Sequence, residues 1–304
     1  MNSRLQSLID RGYDENDVMS ISYFSKEDLD VLSDIALSKA ALGCLNETHP
    51  VALFIGGQPG CGKTTFSFNL KNKYNNLVEI GIDNYRMYHP NYLVMEECIK
   101  KHWENRIPNE NDTPGNDIAD FTHEFSGQMT DEIIRKAVEK RYNLAIEWSM
   151  REPTEPLKTM IDMKQKGYDI STMFLAVDKE TSMEACNIRN EVMNSHDRII
   201  RRIPTSFHEL CINTLPDAVD YLYENGYKKG IIDKFNIISR NFNKLWDENS
   251  RKNPGQVYLE TLNNQMNDSN NFNNKFYSEI AYQKEIEGLD LVLKEKVTNN
   301  NKKM

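Results

Sequence analysis

Residues Gly57-Gln58-Pro59-Gly60-Cys61-Gly62-Lys63-Thr64 read G-x-x-x-x-G-K-T, and Thr65 extends the run. Those types at that spacing make an anion cradle. Glycines let backbone N–H groups close around a phosphate with no Cβ in the way. A helix that starts there aims the positive end of its dipole at the same phosphates. Lys63 can reach the β- and γ-phosphates of a nucleoside triphosphate, and the Thr64 hydroxyl can ligand Mg²⁺. The segment predicts a bound nucleoside triphosphate, ATP or GTP. Cys61 reads as a space-filler within the loop, open to oxidation, and not as a nucleophile.

Three further groups could do chemistry. Asp83 follows a short apolar run, Leu77–Ile82, and precedes Arg86 and His89-Pro90. A carboxylate at a strand's carboxyl end could take the proton of an attacking hydroxyl. The same position also suits a helix N-cap or a ligand on the Mg²⁺ side. Glu147 ends the run Leu144–Ile146, as a Walker-B acid does, with Ser149 and Arg151 at alternate positions after it. Alternate residues of an extended segment share one side. A hydroxyl and a guanidinium beside a carboxylate suit a polar, anionic small molecule, although an ordinary polar loop has the same composition. Arg189 sits in a helical pattern, with Arg198, Arg201 and Arg202 just beyond it. A flexible basic segment of this kind can act as a kinase lid over the transferring phosphate. A solvated charge run and a local nucleic-acid patch are the other readings.

The elements that must position these groups are legible from periodicity. Val51–Ile55 is an apolar strand, and FSFNLKNKY continues as a helix after the loop. Helical patterns follow at 92–104 and 127–140, then the strand 144–147, a helix at 155–166 and a strand at 171–177. Helices at 179–193 and 205–225 precede a last strand near 229–239. Strands alternating with helices predict an α/β fold with a parallel sheet and ligands at the strand carboxyl ends. Residues 1–50 read as a polar helical extension, with Ser25–Asp28 as a capping start. Residues 263–275 are Asn-rich and read as a linker; 276–296 carry a charged helical pattern whose composition favours a solvated helix. Trp246 reads as core or edge packing.

The chain has 304 residues, 39% hydrophobic, with a net charge of −9. That acidity argues against nucleic acid or anionic lipid as partner. Five scattered cysteines argue against a disulfide framework or a zinc site and for a reducing cytosol. No apolar stretch reaches membrane-spanning length, and the polar start does not read as a signal peptide.

Several blocks occur in one order: Gly57–Thr64, Ile82–Pro90, Met129-Thr130-Asp131, Tyr142–Glu147, Lys166-Gly167-Tyr168, Arg189-Asn190-Glu191, Arg201–Pro204 with His208, and Leu215-Pro216. In this the chain resembles the zeta toxins, the kinase halves of toxin–antitoxin pairs, over roughly residues 51–245. The resemblance implies a P-loop kinase three-layer sandwich with a mostly parallel central sheet; the N-terminal helical extension (1–50, in large part) and the Asn-rich linker with its C-terminal helix (246–304) lie outside the match. It implies an ATP- and Mg²⁺-dependent kinase that phosphorylates the sugar 3′-hydroxyl of UDP-N-acetylglucosamine and so poisons cell-wall synthesis. It places the general base on Asp83, the triphosphate and metal on Lys63 and Thr64, and the phosphate-gripping arginines on Arg189 and Arg201. Arg86, Asp131, Glu147, Ser149 and Arg151 fall on positions for the nucleotide-sugar. A small antitoxin protein covering the ATP site is the implied partner. Three positions depart from the family pattern. Trp148-Ser149-Met150 stands where a small Gly-Thr-Gly-like run is common, Asp131 stands where Glu is frequent, and Arg201-Arg202 is doubled. Another acceptor on the same fold (another nucleotide-sugar, a dinucleotide, a nucleoside or an RNA end), or a non-catalytic nucleotide-gated interaction protein, are the competing expectations.

Overall fold

Three helices precede the first strand: α1 (Ser3–Asp10), α2 (Glu15–Ile21) and α3 (Lys26–Ala40). The computed structural model describes residues 2–109, 112–196 and 198–264, and beyond them residues 280, 283, 284, 286 and 289–292. Helix α3 begins as the sequence predicts. The Ser25 hydroxyl accepts from Asp28 N at 3.0 Å, and Asp28 Oδ2 accepts from Ser25 N at 2.9 Å, a reciprocal capping box.

The core then alternates strand and helix. β1 (Val51–Gly56) leads through the glycine-rich loop into α4 (Lys63–Lys73), and β2 (Val78–Gly81) runs into a 3-10 turn over Ile82–Tyr88. Helices α5 (Tyr92–Trp103), α6 (Pro114–Phe121) and α7 (His123–Glu139) come before β3 (Leu144–Glu147) and α8 (Thr154–Gln165). β4 (Asp169–Leu175), α9 (Lys179–Asn194), α10 (Thr205–Leu222), β5 (Lys234–Ile238), β6 (Lys244–Trp246) and α11 (Pro254–Asn263) complete it. The six strands lie in the order β2-β3-β1-β4-β5-β6, parallel except for β6. Register aligns Ile55 of β1 and Gly81 of β2 with Glu147 of β3. The phosphate loop, Asp83 and Glu147 therefore leave the sheet at one edge.

Both faces of the sheet are covered, which is why its strands are apolar on both sides. Phe54, Ile80, Ile146 and Phe174 pack with α3, α7, α8 and α10 on one face. Ile55, Ala145, Leu175 and Ile238 pack with Phe66 of α4 on the other. The alternation of Phe54 with Ile55 is the two-residue period of a strand. A second cluster joins Leu5, Leu8 and Val18 of α1 and α2 to Met95, Ile99, Ile118 and Phe121 of α5 and α6. Among the described residues no helix is long and apolar enough to cross a membrane, and the five cysteines are free thiols.

Several expected elements shift. The strand expected at 171–177 is 169–175, and the one expected at 229–239 is 234–238. After α10 the chain continues as a π turn over Tyr223–Tyr227, where Gly226 lets Ile232 approach to a distance no Cβ would allow. Helices α6 and α11 and the antiparallel strand β6 lie outside the elements expected from periodicity. Trp246 is buried at the edge of the sheet. Most of the Asn-rich stretch and much of 276–296 lie outside the described residues. The described positions from 280 to 292 are helical, but Leu289 and Val292 are buried and Lys284 pairs with Glu79 at 2.6 Å. Those positions are packed onto the core and do not form the solvated helix that composition favours.

Candidate active site

The loop between β1 and α4 has its glycines where the backbone requires them. Gly57, Gly60 and Gly62 hold φ of 139°, 77° and 103°, the left-handed region that side chains avoid. A Cβ on Gly60 would stand 1.9 Å from Ser182 O of α9. Gly62 caps α4 with no side-chain hydrogen bond, which leaves the first-turn N–H groups for an anion. Two loop side chains turn inward. Gln58 Nε2 donates to Val177 O at 2.6 Å, its Oε1 accepts from Tyr258 OH of α11 at 2.6 Å, and Cys61 is buried. Gln58 and Cys61 can therefore serve a ligand only through their backbone. Lys63 Nζ donates to Gly57 O at 2.7 Å and Gln58 O at 3.0 Å, which stations the ammonium at the loop.

Glu147 faces α4 across the loop. Its Oε2 accepts from Thr64 Oγ1 at 3.1 Å, and its Oε1 accepts from Ser67 Oγ. Burial, then the nearby Glu79 carboxylate, push the Glu147 carboxyl up; Lys284, Ser67 and Lys63 oppose that shift. A carboxylate and two hydroxyl oxygens are hard donors of the kind Mg²⁺ takes, so these residues fit that ion.

Asp83 opens the 3-10 turn that follows β2. Arg86 Nε donates to its Oδ1 at 3.1 Å, and Arg201 Nη2 donates to its Oδ2. Burial alone would push the Asp83 carboxyl up. The guanidiniums of Arg201, then Arg86 and Arg189, outweigh it and hold the group well below the usual carboxylate range. Arg86 is itself buried, with Nη1 donating to Ala119 O at 3.0 Å and Thr122 Oγ1 at 3.1 Å. Its Nε and Nη1 are engaged by protein, and Nε orients Asp83.

A cavity of about 730 Å³ joins these parts, within the size range of small-molecule sites. Lys63, Thr64, Asp83, Glu147, Arg189 and Arg201 line it. Arg86, Asp131, Ser149 and Arg151 line it too, as do the loop residues Pro59, Gly60, Gly62 and Thr65, whereas Gly57, Gln58 and Cys61 do not. Arg151 pairs with Glu152 and lies 5.7 Å from the Phe207 ring centre.

The basic segment is anchored to α5 and α9 by several hydrogen bonds. Arg198 Nη1 donates to Glu96 Oε2 and Ile199 N to Glu96 Oε1, both at 2.8 Å. Tyr92 OH donates to Ile199 O at 2.8 Å, and Ile203 N donates to Asn190 Oδ1 at 3.2 Å. Of the doubled arginines, Arg201 reaches Asp83, and both line the cavity.

Met150 takes φ 56°, a left-handed conformation that costs a non-glycine residue about 1–2 kcal/mol. Its side chain is buried, with the sulfur 3.0 Å from where a Gly56 Cβ would lie. The backbone thus keeps a glycine-like turn at a position where the resembled pattern has glycine. Sequence reasoning missed Arg240, buried just past β5 and part of the cavity wall. Its signal was its place after the carboxyl end of an expected strand.

A parallel sheet with this loop, this lid and one shared cavity defines a P-loop phosphotransferase of the kinase type. The chain belongs to the zeta toxin family, whose model matches residues 35–251. It is 28% identical over 224 residues to Toxin PezT of Streptococcus pneumoniae, covering 72% of this chain and 80% of that protein. It is 28% identical over 220 residues to Toxin zeta of Streptococcus pyogenes, covering 72% and 69%. A structure from the characterisation of the PezAT chromosomal toxin–antitoxin system of Streptococcus pneumoniae shares the fold, with a TM-score of 0.65 at 23% identity over 89% of this chain and 99% of that one.

Proposed function

We propose that this chain transfers the γ-phosphoryl group of ATP to the 3′-hydroxyl of the sugar in UDP-N-acetylglucosamine, and that it acts as the toxin of a toxin–antitoxin pair. The observation that carries the reading is the convergence of the phosphate loop and Asp83 on one cavity, with Arg201 paired to Asp83. The roles of the residues follow from that geometry.

The loop N–H groups and Lys63 hold the triphosphate. Thr64, with Glu147 beside it, would hold Mg²⁺, and the ion would supply charge neutralisation for the transferring phosphoryl group. Asp83 accepts the proton of the acceptor hydroxyl as its oxygen bonds to the γ-phosphorus. The bond from that phosphorus to the bridging oxygen breaks, and ADP leaves with the electron pair. Arg189 and Arg201 balance charge on the transferring group. Asp131, Ser149 and Arg151 line the space for the acceptor. Once Arg201 turns toward phosphate, its hold on Asp83 relaxes and the carboxylate becomes a stronger base. A small antitoxin that covers the ATP site would silence the enzyme.

Incubation of the protein with ATP, Mg²⁺ and UDP-N-acetylglucosamine, followed by mass spectrometry, tests the reading. The expected product is the nucleotide-sugar plus one phosphoryl group, absent with Asp83→Ala. ADP release with no phosphorylated sugar would remove the acceptor assignment. The same assay in a bacterial extract, scanned across small metabolites, would then name another acceptor.

A further inference from the structure

The cavity extends beyond the residues that the family model matches. Arg4, Ser7 and Arg11 of the N-terminal segment belong to its wall, and all three precede residue 35. Helix α1 is firmly placed. Leu5 and Leu8 are buried against α5 and α6. Asn2 caps the helix through Arg4 N and Leu5 N, and its Nδ2 donates to Glu124 Oε2 at 2.5 Å. Past the helix, Tyr13 OH, Trp103 Nε1 and Arg11 Nε converge on Asp117 at 2.5, 2.6 and 2.9 Å.

Arg4 and Asp83 are joined through α6. Arg4 Nη1 pairs with Asp120 Oδ1 at 3.1 Å, and Asp120 Oδ2 takes Arg11 Nη2 at 2.8 Å. The adjacent Ala119 carbonyl holds Arg86, which holds Asp83. His123, also in the wall, feels the charges of both Arg4 and Asp83. Arg11 is enclosed by Asp117 and Asp120. The Arg4 side chain, by contrast, is 49% exposed, while its anchor Asp120 is 7% exposed. A guanidinium held through one nitrogen and open to a cavity keeps donors for a phosphate, whose oxygens match its planar fork.

We propose that Arg4 binds the diphosphate of the acceptor, which makes α1 the element that selects a nucleotide-sugar over a free sugar. The inference rests on the acceptor class proposed above. Arg4 is a binding residue in the cavity wall, and Asp120 sets its direction.

Calorimetric titration of the full chain, with the phosphate loop saturated by ADP, tests it. UDP-N-acetylglucosamine and N-acetylglucosamine are the two probes, against the wild type, Arg4→Ala and Arg4→Lys. A charge-assisted hydrogen bond to phosphate predicts a loss of about 10- to 100-fold in affinity for the nucleotide-sugar in Arg4→Ala. Arg4→Lys should restore part of it, and affinity for the free sugar should not change. Equal affinity of Arg4→Ala and wild type for the nucleotide-sugar overturns the inference, and so does an equal loss for both probes. Arg4-dependent binding without transfer would strike the reaction and spare this site. Transfer with Arg4-independent binding would strike this site and spare the reaction.

Discussion

Arg201 and Asp83, 118 residues apart in sequence, form an ion pair at the centre of the cavity. The lid cation and the proposed base therefore share one position before a phosphate claims the arginine. The pair keeps the Asp83 carboxyl well below the usual carboxylate range.

Replacement of Asp83 by Ala should abolish transfer while ATP affinity stays near the wild-type value, because the loop and Lys63 are untouched. Rapid-quench assays and nucleotide titration check the two halves. A fully active Asp83→Ala enzyme would refute the base assignment.

The same pair makes a prediction about acid. Asp83 is depressed below its ordinary 3.8 in the folded chain. Its stabilisation is complete above the unfolded value and is lost progressively as pH falls from there through the depressed folded value. Denaturation of wild type and Asp83→Asn should differ at neutral pH, and the gap should start to narrow only below about pH 4.

Arg201→Ala should slow transfer by about 10³-fold or more, the scale of an arginine that stabilises transferring phosphate. Arg202→Ala should cost far less, since Arg201 is the residue that reaches Asp83. Single-turnover rates of the two variants decide the register, and equal losses would remove the distinction.

The Glu147 carboxyl is pushed up by burial and by Glu79. Protonation removes its charge beside Thr64, so the Mg²⁺ concentration needed for half-maximal rate should climb as pH falls. Glu147→Gln should need more Mg²⁺ at every pH and lose that slope. Metal titrations at several pH values read both effects.

Two glycines separate backbone strain from collision. Gly43 has φ 81° with open space around it, whereas Gly60 has φ 77° and an added Cβ there would stand 1.9 Å from Ser182 O. Gly43→Ala should destabilise by about 1–2 kcal/mol, the left-handed cost alone. Gly60→Ala should cost more and should also impair ATP binding. Urea denaturation and nucleotide titration report the pair.

Short-range chemistry made much of this site legible. The glycine loop announces itself within eight residues, and Asp83 and Glu147 stand at the ends of apolar strands that periodicity finds. The choice between Arg201 and Arg202 was not legible, because Glu96 of α5 fixes the lid backbone from about a hundred positions away. Arg4 had no local signal at all; its partner Asp120 is 116 residues distant. Helix α6 escaped notice inside a Pro- and Asn-rich stretch, although Thr113 caps it and Pro114 occupies its first turn. Strand β6 spans three residues, too few for a two-residue period to show.

The hydrogen bond from Tyr258 to Gln58 spans 200 positions. During synthesis the brace emerges 200 residues after the loop that it holds. A polypeptide terminated between the two would carry every residue of the glycine motif yet lack the hydroxyl that fixes Gln58 from behind. The loop's final shape thus waits on a distant part of the chain.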